Sequence, residues 1–163
     1  VLEEEHNLEK VLNIFIRVNS GGTQLSYSDI LLSIAIAQWQ DYDAREEIYS
    51  LVDDLNLMGE SFNFEKDFVL KASLVLSDIK TVAFRIYNFN RNNMLKIEQL
   101  WSKIKEALTI TVRLLTTWGY SRDTLVSNNA IIPLAYYILR KGNPKGIITS
   151  RDYSADRERM QRW

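Results

Sequence analysis

The chain has 163 residues, of which 46% are hydrophobic and 25% are charged, so it can bury the core of one domain. Because it contains no cysteine and only one histidine, disulfides, thiolate metal sites and nucleases built on several histidines are excluded. No apolar run approaches the roughly 18–20 residues that span a bilayer, and the acidic start is unlike a signal peptide. We therefore expect a cytoplasmic protein without a membrane partner.

Charge is distributed very unevenly along the chain. Residues 1–65 hold 3 Lys/Arg against 13 Asp/Glu, whereas residues 66–163 hold 17 against 8. This polarity predicts either that an acidic half docks on a basic half, or that a basic surface remains for nucleic acid or another acidic partner. Long basic helices usually carry solvated charge, which favours an ordinary charged surface.

Apolar residues recur at helical spacing through the first half of the chain. Four helices are predicted, over about 7–18, 26–39, 43–59 and 63–79. Gly21 and Gly22 are expected to end the first helix. Ser26 with Asp29, and Asp43, have the chemistry and position of N-caps for the next two. The second helix is apolar nearly all round, so we expect it to be central and buried.

The second half is also mainly helical in pattern. The stretch 81–89 fits either a strand or a helix, and Asn90-Arg91-Asn92-Asn93 is a break. An apolar heptad pattern from Ile97 to Trp118 then predicts a helix of about 25 residues that packs side by side with others. Further helices are expected from Ser127 to about Lys141 and from about Ser154. The fold class predicted is all-α, an irregular helical bundle of about six or seven helices.

Few residues indicate chemistry on their own. His6 lies among consecutive glutamates that point in different directions, which favours a solvated acidic segment over a metal site. The amides of Ser20-Gly21-Gly22-Thr23 could cradle an anion, although a double glycine is more often only a turn. Four aromatic side chains could stack on bases, but their apolar context favours the core; they are Trp101, Trp118, Tyr136 and Tyr137. We assign no catalytic residue and no metal ligand.

The segment Phe15-Ile16-Arg17-Val18-Asn19-Ser20-Gly21-Gly22-Thr23-Gln24-Leu25-Ser26, followed by Asp29-Ile30-Leu31-Leu32-Ser33, resembles a motif of the GmrSD-type restriction endonuclease family. In that family the motif lies near the end of a ParB-like domain, ahead of a helical region. The segment 128–137 is similar to the family's helical part, but more weakly. The family's Asp-Gly-Gln-Gln-Arg signature, which is associated with nucleotide handling, does not occur in this sequence.

The resemblance implies a helical fragment of a prokaryotic, modification-dependent DNA restriction and defence protein. Residues 1–40 are expected to be the tail of a ParB-like domain, and residues 41–163 a helical domain truncated at its C-terminus. Since the chain starts at Val1 rather than Met and ends abruptly at Trp163, we expect it to be cut from a longer protein. That protein is expected to bind DNA and to use a nucleoside triphosphate and a divalent metal, whereas this fragment should hold no cofactor and be inactive alone.

The resemblance also assigns the motif residues a supporting role. Phe15, Arg17, Asn19, Gly21, Gly22 and Thr23 would face the missing N-terminal part of the domain and help fix a phosphate or an active-site loop. The alternative is structural: Asn19 caps a helix, the glycines form a turn and Arg17 pairs with a carboxylate. A different class of function also remains open, namely a helical protein–protein interaction scaffold without any nucleic-acid role.

Overall fold

A computed structural model describes residues 26–79 and 84–163. Within these ranges the chain forms six α-helices joined by loops and short 3-10 turns, and no strand occurs in them. The helices are α1 (Tyr27–Ile36), α2 (Ala44–Asn56), α3 (Lys66–Leu76), α4 (Arg91–Thr117), α5 (Ile132–Arg140) and α6 (Ser154–Gln161). The predicted all-α fold is thus confirmed. The predicted helix over 7–18 and the glycines expected to end it lie outside the described residues.

Helix α1 begins as predicted, with a reciprocal capping box. The Asp29 backbone N–H donates to Ser26 Oγ (3.2 Å), and the Ser26 N–H donates to Asp29 Oδ2 (2.8 Å). The helix ends at Ile36, three residues before the predicted end at Trp39. It ends there because the backbone N–H groups of the next segment, which a longer helix would use, donate instead to the carboxylate of Glu98.

The central helix is α3, not α1 as predicted. Helix α3 contacts α1, α2, α4 and α5, and seven of its eleven residues are buried. Helix α1 buries Leu31, Leu32 and Ala35 but exposes Ser33. Its apolar composition therefore reflects one buried face and several half-buried isoleucines, since a helix at the edge of a bundle needs only one fully apolar stripe.

Helix α3 also begins later than predicted, at Lys66 rather than at Asn63. Asn56 accounts for the difference, because its side chain bonds the backbone of Phe64 in both directions. Asn56 Nδ2 donates to Phe64 O (2.9 Å), and the Phe64 N–H donates to Asn56 Oδ1 (2.7 Å). Phe64 is buried in an extended segment ahead of the helix, where its ring stacks on Phe62 and Phe68.

The long helix α4 follows the predicted heptad pattern. The buried positions on its core face are Ile97, Trp101, Ile104, Leu108, Thr111 and Leu115. Thr111 fills an apolar position because its hydroxyl donates to the Ala107 carbonyl one turn earlier (2.7 Å). The predicted break at 90–93 shrinks to one residue, since Asn90 caps the helix through the Asn93 N–H (3.1 Å) and Arg91 is already helical.

The helix predicted from Ser127 is divided into two elements. Residues Asn128–Ile131 form a 3-10 turn, and α5 starts at Ile132 with Pro133 in its first turn. Ser127 precedes the 3-10 turn and makes no side-chain cap bond. Asn128 is held instead by the loop before α3, because its Nδ2 donates to Asn63 O (2.7 Å).

One apolar core joins all of these helices. Leu31 and Trp39, from the predicted N-terminal domain tail, lie in the same cluster as Trp101 of α4 and Ala135 of α5. Trp39 meets Trp101 edge to face, with ring centroids 5.1 Å apart. The boundary at residue 40 stays a prediction. No helix within the described ranges is both long and apolar enough to cross a bilayer.

Candidate nucleic-acid interface

Four cationic side chains project from one side of α4 and from the C-terminal end of α5. Lys96 and Lys103 are seven residues apart on α4, so they share a face, away from its buried stripe. Arg140 ends α5, and Lys145 follows in the next turn. All four residues are exposed to solvent. We call this set the basic surface.

Asp78 contacts two of these cations, Lys96 of α4 and Arg140 of α5. It follows α3 in a left-handed backbone conformation, with φ of 51°. Its Oδ1 accepts from the Tyr136 hydroxyl (2.6 Å), and its Oδ2 accepts from Arg140 Nη1 (3.4 Å). Its backbone carbonyl accepts from Lys96 Nζ (3.4 Å). The hydrogen bond to this carboxylate raises the pKa of the Tyr136 phenol, an effect that Arg140 partly opposes.

A cleft of about 270 Å³ opens beside Asp78. It is lined by Leu76, Asp78, Leu100, Lys103, Leu139 and Arg140. Cations from two helices and one carboxylate thus border the same cavity, together with three leucines. The cleft is too small for a drug-sized ligand but offers room for a small anionic group.

Asn143 connects Lys103 with the far end of the basic surface. It has a left-handed backbone (φ 53°) and a buried side chain. Its Nδ2 donates to the Lys103 carbonyl (2.9 Å) and to Glu106 Oε2 (3.2 Å). Lys145 Nζ lies 3.9 Å from Glu106 Oε1. The four cations are therefore accompanied by two carboxylates, Asp78 and Glu106, and both carboxylates already have partners.

The two oppositely charged halves of the sequence also meet directly. Lys66 pairs with Asp29 (3.2 Å), and Lys105 pairs with Glu47 (2.5 Å). Partial burial raises the pKa of each of these carboxyls, but hydrogen bonds outweigh burial and leave both pKa values lowered. Internal docking and a free basic surface, the two predictions from the charge pattern, are thus compatible with each other.

The four aromatic residues considered for base stacking are largely committed to the fold. Trp101 is buried, and its Nε1–H donates to Glu47 Oε2 (2.6 Å). Trp118, Tyr136 and Tyr137 are half-buried against the core. The Tyr137 hydroxyl donates to Asp156 Oδ1 (2.5 Å), as that of Tyr136 does to Asp78.

The site residues predicted from the family motif lie outside the described residues. They are Phe15, Arg17, Asn19, Gly21, Gly22 and Thr23. Sequence reasoning missed Asp78, Arg140 and Lys96, and considered Tyr136 only for base stacking. The local signal for the site was the four-residue spacing of Tyr136 and Arg140 on one helix. Over residues 26–79 and 84–163, no group of three or more His, Cys, Asp or Glu could hold a metal ion.

A second surface feature is an apolar groove of about 390 Å³ at the C-terminal end of α4. Its walls include Leu115 of α4, Trp118 directly after α4, Leu134 of α5 and Met160 of α6. Val126 and Trp163 also line the groove, and both are exposed.

In comparisons with known proteins, no family model matches this chain and no curated protein is significantly similar to it.

Proposed function

We propose that this chain is the helical region of a GmrSD-type, modification-dependent DNA restriction protein, and that it contacts DNA phosphates through the basic surface. The motif over residues 15–26 supports the family, since its order of apolar, Arg, Asn and double-Gly positions is fairly specific. Nucleotide-dependent cleavage would require the part of the domain that carries the Asp-Gly-Gln-Gln-Arg signature. The region itself supports DNA recognition and performs no catalysis alone.

The observation that carries the DNA-binding proposal is the arrangement of Lys96, Lys103, Arg140 and Lys145. Side chains of this kind supply the phosphate contacts that dominate affinity for nucleic acid. Their spread along α4 and past the end of α5 would let them follow a phosphate backbone rather than a single anion. The carboxylates nearby, Asp78 and Glu106, are paired with Arg140 and Lys145 of the same set, so four cations face two carboxylates and the surface keeps a positive balance.

Fluorescence anisotropy with a labelled duplex at several salt concentrations tests this proposal. Affinity should fall steeply with salt, and Lys103→Ala should reduce the magnitude of the slope of log K against log salt by about 1. Arg122→Ala is the matched control, because Arg122 is an exposed cation beyond the other end of α4 and should leave the slope unchanged. Equal effects of the two substitutions would contradict a role for the basic surface.

The family assignment has separate tests. Sequencing the reading frame upstream of Val1 should reveal the Asp-Gly-Gln-Gln-Arg signature, and its absence there would remove the assignment. In the longer protein, Arg17→Ala should reduce restriction of modified DNA and nucleotide hydrolysis without affecting folding. Unchanged activity in a folded variant would instead assign Arg17 a purely structural role.

The second candidate function is a protein–protein interaction scaffold, and the apolar groove is the observation that favours it. Contiguous exposed apolar surface bordered by polar residues is typical of protein interaction sites. The same duplex titrations discriminate the two functions. A scaffold should bind no duplex, modified or unmodified, even at low salt.

A further inference from the structure

Three donors from two helices, α4 and α5, converge on Asp78. The Tyr136 hydroxyl and Arg140 reach its carboxylate, and Lys96 reaches its carbonyl oxygen. Lys103 and Arg140 border the adjacent cleft. A phenol and a guanidinium thus contact the carboxylate, and two ammonium groups lie close by, at the carbonyl and at the cleft. Proteins commonly use donors of these kinds for phosphate groups.

The Asp78 carboxylate is not needed to build the turn that carries it. Backbone bonds hold the turn, since the Asp78 N–H donates to Val75 O (3.1 Å) and the Ile79 N–H donates to Leu74 O (3.3 Å). The left-handed φ at this position is also accessible to asparagine and glycine. The side chain of Asp78 is 51% exposed, so an incoming anion could reach the groups that surround it.

We propose that Asp78 is an internal competitor in a phosphate-binding site formed by Tyr136, Arg140, Lys96 and Lys103. A phosphodiester displaces the carboxylate from Tyr136 and Arg140 and takes over both donors, while Lys96 and Lys103 approach it from α4. This inference rests on the proposed function for its natural ligand, the DNA backbone. The carboxylate lowers the affinity of the site for phosphate, because a phosphate group must displace it from these donors before it can bind.

Asp78→Asn tests the competition directly. It removes the charge while preserving the left-handed turn, and Asp78→Gly should behave in the same way. The probe is inorganic phosphate, added to the full chain and followed by NMR through the signals of the Arg140 guanidinium and the Tyr136 ring. Half-saturation should occur at about tenfold lower phosphate than in the wild type, the size expected for one charge-assisted hydrogen bond.

Two controls separate a site from a change in overall charge. Asp54→Asn makes the same charge change at an exposed position of α2, and should shift half-saturation by less than about twofold. Adding Arg140→Gln to Asp78→Asn should abolish the gain, because the competed donor is then absent. The proposal is overturned if Asp54→Asn matches Asp78→Asn, or if the gain survives without Arg140.

A parallel duplex titration distinguishes this inference from the proposed function. If Asp78→Asn gains phosphate affinity while neither form binds duplex, the phosphate site stands and the DNA-binding function fails. If the wild type binds duplex through Lys103 but Asp78→Asn gains nothing over Asp54→Asn for either ligand, the DNA function stands and the competition fails. Circular dichroism of each variant confirms that the helical fold is intact.

Discussion

The backbone N–H of Gln40 donates to Glu98 Oε1 over 2.7 Å, although the two residues are 58 positions apart in sequence. The same oxygen accepts from the N–H groups of Asp41 (2.7 Å) and Tyr42 (3.1 Å). Glu98 is 4% exposed and lies on α4, so one buried carboxylate fixes the loop between α1 and α2 against the longest helix. This loop carries the chain from the motif-bearing region into the rest of the bundle.

Removing the Glu98 carboxylate should therefore destabilise the protein strongly. Glu98→Ala leaves three backbone donors without their acceptor, and we expect a loss of roughly 2–4 kcal/mol in the free energy of unfolding. Glu98→Gln preserves an acceptor oxygen and should cost less, about 1 kcal/mol. Urea unfolding followed by circular dichroism measures both. Gln99→Ala, at an exposed position of the same helix, should change stability by less than about 0.5 kcal/mol.

Asn56 supports the loop before α3 by an equivalent two-way contact, and its substitutions separate the two hydrogen bonds. Asn56→Ala removes both bonds to Phe64 and should cost about 2 kcal/mol. Asn56→Asp retains the acceptor but loses the donor to Phe64 O. We expect its loss of stability to lie between zero and that of Asn56→Ala, or to equal the latter. Thermal unfolding ranks the variants, with Asp54→Ala as the exposed control on α2. A stable Asn56→Ala would contradict our explanation for the late start of α3.

Gly59 and Gly119 both have left-handed backbones but differ in the space around them. Alanine substitutions at these two positions therefore separate the cost of backbone strain from the cost of steric overlap. Gly59 (φ 60°) would place a Cβ 2.6 Å from Thr116 Cγ2, whereas Gly119 (φ 78°) has open space around it. Gly119→Ala should cost about 1 kcal/mol for backbone strain alone. Gly59→Ala should cost about 1–3 kcal/mol more, because Thr116 must also move. Replacing Thr116 by serine removes Cγ2 and should recover most of that additional cost.

The contact between α5 and α6 should make stability depend on acid. The hydrogen bond from Tyr137 lowers the pKa of Asp156, and the bond from Lys141 lowers it further. Because the folded-state pKa is below the unfolded-state value, the stabilisation is fully present above about pH 4 and is lost as pH falls through the folded value. The wild type should therefore be more stable than Asp156→Asn near neutral pH, and this difference in stability should disappear in strong acid.

Unfolding by urea over a pH series measures this difference. Tyr137→Phe removes the hydroxyl that contributes most to the lowered pKa, so its acid dependence should lie between those of the wild type and Asp156→Asn. A constant difference between wild type and Asp156→Asn at every pH would show that this carboxylate does not contribute through its charge.

How far the sequence predicts this fold depends on the range of the interactions involved. The heptad of α4 and the caps at Ser26 and Asp43 arise from neighbours within a few turns, and all of them were predictable. The C-terminal end of α1 depends on Glu98, and the start of α3 depends on Asn56. Glu98 binds a loop more than fifty residues away, and Asn56 binds a segment whose apolar pattern also fits a helix.

The candidate site was harder to predict than the fold. The basic half of the sequence indicated that cations would be exposed, but not which of them would share a surface. Asp78 meets Tyr136 and Arg140 only because α3 and α5 pack together, which brings residues 58 and 62 positions apart into contact. No local spacing encodes such a contact.

Helix α4 also acts as a rigid spacer between the basic surface and the apolar groove. Lys103 on the basic surface and Leu115 in the apolar groove are twelve residues apart on one continuous helix, which corresponds to about 18 Å along its axis. A polyanion at the first site and an apolar partner at the second could therefore occupy the molecule simultaneously, at a separation that the helix holds constant. Under the proposed function, the protein would then hold DNA and a second protein at a fixed distance from each other, which a scaffold without a nucleic-acid role would not do.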